Sequence, residues 1–138
     1  MTTFLDLVHS RPVFYDGSMG ATILNLGLTP DDYGGQRTEG YNDYLSVVKP
    51  DVIEQIHASF LEVGADVIET NTFGSSVIKA EEYGLGEQAY DINLAAARLA
   101  RAATARSAPG RAATQPEQPS RGRAPQHGGG ERRPRALQ

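Results

Sequence analysis

The sequence contains no cysteine in its 138 residues, which excludes a disulfide framework and a zinc site made from thiolates of this chain. No run approaches the ~20 consecutive apolar residues that a membrane-spanning helix needs, so no membrane partner is expected. The opening MTTFLDLVHSRP lacks a basic start and a long apolar core, which argues against a signal peptide. By elimination the expected compartment is cytoplasmic. Basic residues are scarce in the first hundred positions, with 15 acidic against 5 basic, a net of -10. Residues 101 to 138 reverse this with 2 acidic and 8 basic residues, a net of +6. Aromatic residues are missing after Tyr90, so Arg121-Gly122-Arg123 and Arg132-Arg133 have no base-stacking partner. What remains there is weak, salt-sensitive attraction to phosphates, and nucleic acid is not the expected partner.

The first hundred residues carry the apolar content of one small domain. Val13-Phe14-Tyr15 breaks off into Asp16-Gly17-Ser18-Met19-Gly20-Ala21-Thr22, and Val67-Ile68-Glu69 into Thr70-Asn71-Thr72-Phe73-Gly74-Ser75-Ser76. Both read as short parallel strands whose carboxyl ends turn into ligand-holding loops, as on the working face of an α/β protein. Helices are predicted over Phe4 to Val8, over Met19 to Leu26 with Gly27 closing, from Pro50 to Gly64, from Ser76 to Tyr83, and from Glu87 to Ala103. In the 50–64 helix Val52, Ile53, Ile56, Phe60 and Val63 form an apolar stripe that His57 does not share, which places His57 at the surface or its boundary rather than as a ligand. Thr29 to Asn42 is polar, turn-rich and aperiodic, the pattern of a long loop. From about residue 105 the chain holds a single large aliphatic, Leu137, amid Arg, Pro, Gly, Ala and Gln. Such a segment cannot bury enough apolar surface to order itself, so 105–138 is expected to be a disordered tail.

The motifs DGSMGAT, LTPDDYGG, EGYNDYL, KPDVIEQIHASFLEVGADVIETNTFGSS, YGL and AYDINLAAARLAR follow one another across about residues 12 to 102. In this order the chain resembles the homocysteine S-methyltransferase family, and within it the homocysteine-binding module of the cobalamin-dependent branch. The resemblance implies an α/β fold class, the N-terminal fragment of a (β/α)8 TIM barrel over residues 1–104. It implies homocysteine as the small-molecule substrate and a methyl group transferred to its thiolate to form methionine. It also implies zinc held by three cysteines of later strands, and cobalamin with methyltetrahydrofolate, as cofactors of the full-length enzyme. None of these is bindable by this chain alone.

Residue by residue, the resemblance gives Asp16 to the homocysteine amino group. It gives Gly17, Ser18, Met19 and Gly20 to a loop whose backbone amides receive the substrate carboxylate, and Thr72, Phe73 and Gly74 to the amino-acid pocket. No catalytic residue and no metal ligand is carried over. The chain departs from the branch at Tyr41, where EGYN stands for EGCN; that cysteine is not a zinc ligand, so the change bears on packing.

On the residues alone, Asp16-Gly17 also fits an ordinary turn, and Glu69 fits either an inward polar residue or a loop-ordering acid. His9 and His127 have no partners at ligand spacing, and Asp31-Asp32 and Glu81-Glu82 read as solvated acids. Three functions remain open. The chain is the opening segment of a split methyltransferase that needs a complementing polypeptide, an inactive remnant whose tail is read out of frame, or a binder acting through its basic tail. Two strands with unpaired edges predict a marginal, aggregation-prone fold.

Overall fold

Thr3 opens the first element through a reciprocal cap. Its hydroxyl accepts the Asp6 N–H at 3.2 Å while the Asp6 carboxylate accepts the Thr3 N–H at 2.8 Å. The computed structural model describes residues 3–107. Helix α1, Phe4–Ser10, stops where Arg11 turns extended ahead of Pro12, and none of its residues is buried. Helix α2, Met19–Asn25, is capped by Ser18, whose hydroxyl accepts the Ala21 N–H, and is followed by Gly27 in the left-handed region. Helix α3 is a single turn, Leu45–Val48. Helix α4, Pro50–Glu62, starts on the proline predicted for it. Ser76 caps α5, Val77–Glu82, and α6 runs Ala89–Arg106.

The α/β expectation is corrected by these elements. Among the described residues no extended strand forms at 13–15 or 66–70. The two segments meet in one isolated parallel bridge, Tyr15 with Val67. Around it Phe14 O accepts the N–H groups of Asp66 and Val67 at 2.8 and 3.2 Å, and Val67 O accepts the Asp16 N–H at 2.9 Å. The physical reason is length and isolation. A three-residue apolar run with no second neighbour cannot extend a ladder, and Phe14 and Tyr15 are exposed where a neighbour would lie. The described chain is therefore a helical assembly, not a fragment of a TIM barrel with strands.

The expected loop over Thr29 to Asn42 is also more ordered than its composition suggests. It folds into consecutive 3₁₀ turns, Pro30–Tyr33, Gln36–Thr38 and Asn42–Tyr44. Thr29 and Asp32 cap the first reciprocally, and Tyr33 is buried. Such turns have a period of three residues, which a search for helical stripes overlooks.

Two apolar clusters hold the fold together. One joins Ile23, Tyr33, Leu45, Ile53 and Ile56, with Leu99 of α6 packed against it. The other joins Tyr41, Ala80, Leu85, Ala89 and Ile92, with Tyr44 and Tyr83 against it. The residue that departs from the family pattern, Tyr41, stacks on Tyr83 with ring centres 4.5 Å apart and planes 7° from parallel. The predicted stripe of α6 is present, since Ala89, Ile92, Ala96 and Ala103 are buried, with Ala100 beside them. Val63, expected in the α4 stripe, caps the helix and is 83% exposed.

An ion pair between Arg106 and Glu54 ties the end of α6 to α4. The expected boundary at residue 104 thus falls inside α6, and the disorder expected of the tail concerns residues outside the described ones from 108 onward. No helix among the described residues is long and apolar enough to cross a membrane.

Candidate functional site

The first candidate loop begins at the bridge. After Tyr15 the chain turns so that the Asp16 carboxylate Oδ2 accepts the backbone N–H of Glu69 at 3.0 Å. This bond joins the two segments that the sequence singled out. Gly17 then presses against α4: a Cβ at that position would lie 2.9 Å from the Phe60 ring, closer than carbon atoms tolerate. Glycine lets the backbone lie against this ring, and any side chain there would have to displace it. Ser18 spends its hydroxyl on the α2 cap, and Met19 packs against the first apolar cluster. What this loop offers outward is backbone, with Gly17, Ser18 and Gly20 all exposed.

The second loop is held by a polar network that sequence reasoning missed. Asn71 is 4% exposed, and its Nδ2 donates to Asn42 O at 2.7 Å and to the Ser46 hydroxyl at 3.2 Å. Asp43, 6% exposed, accepts both the Gly74 N–H and the Ser75 hydroxyl on a single oxygen, each at 2.8 Å. Tyr41 donates its hydroxyl to Gly74 O at 3.3 Å, and Asn93 of α6 donates to Ser75 O at 2.8 Å. Burial, with the Asp43 charge adding, pushes the Tyr41 phenol above its ordinary pKa. Buried polar groups of this kind must be satisfied, so the turn at Asn71–Ser75 has one shape. Asn42-Asp43 sits between Tyr41 and Leu45, both buried, a burial that the sequence alone does not display.

The expected site residues are not all gathered. Asp16 and the Thr70–Gly74 turn are linked through Glu69 N–H. Thr72 shares a hydroxyl–hydroxyl bond of 2.7 Å with Thr70. Phe73, expected to shape a pocket, stands fully in solvent. Glu69 is exposed, and the contact that engages it runs from its backbone rather than its carboxylate.

His57 requires a correction. Expected at the surface or its boundary, it is fully buried, and neither ring nitrogen has a hydrogen-bond partner among the described residues. It lies on α4 one turn before Phe60, beneath the Gly17 approach. Desolvation holds its pKa below the ordinary histidine value, and the Asp16 charge opposes that shift. His57 is thus part of the buried side of α4, a helix that packs against α3 and α6 and whose Phe60 ring meets Gly17.

The zinc implied by the resemblance does not fit these residues. Thiolate ligation needs cysteine, of which the chain has none. Among the described residues no three His, Asp or Glu side chains converge as a metal set.

Comparison with known proteins bears directly on this arrangement. A family model described as homocysteine S-methyltransferase matches residues 13–116, both candidate loops included. A methionine synthase of Mycobacterium tuberculosis is 37% identical over 100 residues. That match covers 72% of this chain but only 8% of the relative, so the chain spans a small fraction of that protein's length. A match of this extent settles ancestry, and the chain belongs to the homocysteine S-methyltransferase family.

Proposed function

We propose that this chain supplies the amino-acid-binding loops of a methionine-synthase-type homocysteine S-methyltransferase. It holds homocysteine by its amino and carboxylate groups and leaves activation of the thiol to residues outside these 138. In this reading the Asp16 carboxylate takes the substrate ammonium, and the exposed backbone of Gly17 to Gly20 takes the carboxylate. Thr72, Phe73 and Gly74 border the side chain of the substrate. The observation that carries the reading is the Asp16–Glu69 bond, which sets the first loop beside the second across a long stretch of sequence. The absence of cysteine supports the division of labour. A thiol of ordinary pKa is mostly protonated at neutral pH, and this chain offers no thiolate ligand set to bind zinc and ionise it. Zinc, and cobalamin with methyltetrahydrofolate, then enter with a complementing polypeptide or a further segment.

Binding without turnover is the expected behaviour of the purified chain. Titration of the ¹⁵N-labelled protein with L-homocysteine should move the amide signals of Gly17, Gly20 and Gly74 at millimolar ligand. No methionine should form with methyltetrahydrofolate and cobalamin present. Absence of any shift would sink the binding half of the reading, and methionine formation by the chain alone would sink the other half.

A further inference from the structure

Asn42 is bonded to the second candidate loop and faces Gly20 of the first, and its side chain has a donor left over. Its backbone carbonyl receives the Asn71 amide at 2.7 Å, and the next residue, Asp43, receives Gly74 and Ser75. Its side-chain oxygen is occupied by the Tyr33 hydroxyl at 3.0 Å. That bond fixes the orientation of the amide, so Nδ2 faces the other way, toward the first loop. A Cβ built on Gly20 would lie 3.8 Å from this nitrogen, so the amide faces the open side of Gly20 where a side chain would otherwise stand. Nδ2 makes no hydrogen bond within the described residues, yet it is not among the buried orphans, so solvent reaches it. Tyr33, which pins the amide, is itself 7% exposed and packed in the larger apolar cluster.

We infer that Asn42 is a substrate-orienting residue whose Nδ2 donates to the carboxylate of the amino acid lying on the Gly17–Gly20 backbone, selecting α-amino acids over amines. The inference rests on the homocysteine-binding reading above and adds to it a side chain and a selectivity. Three features make this donor suited to the task. It is neutral, so it recognises an anion without a charge of its own. It is pre-oriented by Tyr33, which lowers the ordering cost of binding. It also sits where an oxygen held on the Gly20 backbone has a second donor at hand. A donor aimed at a carboxylate is the stronger, charge-assisted kind of hydrogen bond.

The test compares homocysteine with mercaptopropylamine, its analogue lacking only the carboxylate, using the full chain. Asn42→Asp keeps the oxygen that Tyr33 needs and replaces the donor by a negative charge. It should weaken homocysteine binding by about tenfold or more while changing mercaptopropylamine binding by less than about twofold. Tyr33→Phe removes the pin while preserving the packed ring. It should weaken homocysteine alone, by about threefold, and it decides the matter should Asn42→Asp fail to fold. Equal losses for both ligands would make Asn42 a structural residue and overturn the inference. Unchanged homocysteine binding in the variants would overturn it too, leaving the binding reading intact. An unaltered chain that binds no homocysteine would overturn the two together.

Discussion

Asp16 Oδ2 and Glu69 N lie 3.0 Å apart across 53 positions of sequence. With the bridge beside it, this contact is what brings the two candidate loops to one edge of a helical assembly. The bond is backbone to carboxylate, so it survives any change of the Glu69 side chain. It does not survive loss of the carboxylate. Asp16→Ala should cost about 0.5–1.5 kcal/mol of stability, the net worth of one hydrogen bond at an exposed site where water can replace the acceptor, read from urea denaturation. Glu69→Ala should leave stability near that of the parent. Equal losses would show that the contact acts through the Glu69 side chain instead.

Asp43 presents a stronger case of the same physics. A single oxygen of its buried carboxylate receives Gly74 N–H and Ser75 O–H. Asp43→Ala strands both donors beneath the loop and should cost about 2–4 kcal/mol. Asp43→Asn retains an oxygen at the same place and should cost less than half as much. Amide exchange at Gly74 should accelerate in the alanine variant and barely change in the asparagine one.

The pH response of the fold is set first by His57. Its ring is buried without hydrogen-bond partners among the described residues and its folded pKa is depressed by desolvation, whereas the unfolded chain protonates it at about 6.5. The unfolded state therefore binds more protons below that pH, and stability falls as pH falls from about 6.5 toward the lowered folded value. Above about pH 7 the contribution is complete. Melting curves from pH 7.5 down to 5 should show a declining midpoint, and His57→Leu should flatten that decline. A variant that keeps the parent's slope would place the titration elsewhere.

The sequence was informative where a single local rule decides. Ser76 and Pro50 open the helices predicted to start there, and Gly27 takes the left-handed turn after α2. It was misleading where the outcome depends on neighbours. Val13–Tyr15 has strand-like residues, but a strand needs partners, and here it finds one residue, Val67. His57 looked like a surface or boundary residue from its position beside the stripe, because helical spacing does not reveal what packs on that side of α4. In the candidate site, Asp16 and Gly17 were legible through the Asp-Gly pair and the abrupt end of an apolar run. Asn42, Asp43 and Asn71 were not, since short polar residues in a turn-rich stretch look alike whether they face water or hold a buried network.

Arg11 and Asp66 provide a test at the other end of the pH scale. The Arg11 guanidinium meets both Asp66 oxygens, at 2.7 and 2.6 Å, and Asp66 also accepts the Phe14 N–H at 3.0 Å. The guanidinium, aided by that N–H, lowers the Asp66 pKa from 3.8 to about 2. A depressed carboxylate contributes stability that is complete above about pH 4 and is lost as pH falls toward 2. The arginine is 41% exposed, so solvent screens the pair and Arg11→Ala should lower the melting midpoint only slightly. Asp66→Ala removes the pair and also strands the Phe14 N–H next to the bridge, so its loss should be several times larger. The two variants should also differ in salt dependence. Added salt should close the gap between the parent and Arg11→Ala, because screening erases what that variant lacks. It should leave most of the Asp66→Ala deficit in place, because the Phe14 bond is short-ranged and part of the backbone framework. If both deficits vanished in salt, the contact between residues 11–16 and 66–69 would be purely electrostatic, and the Phe14 bond would contribute nothing to holding the two loops together.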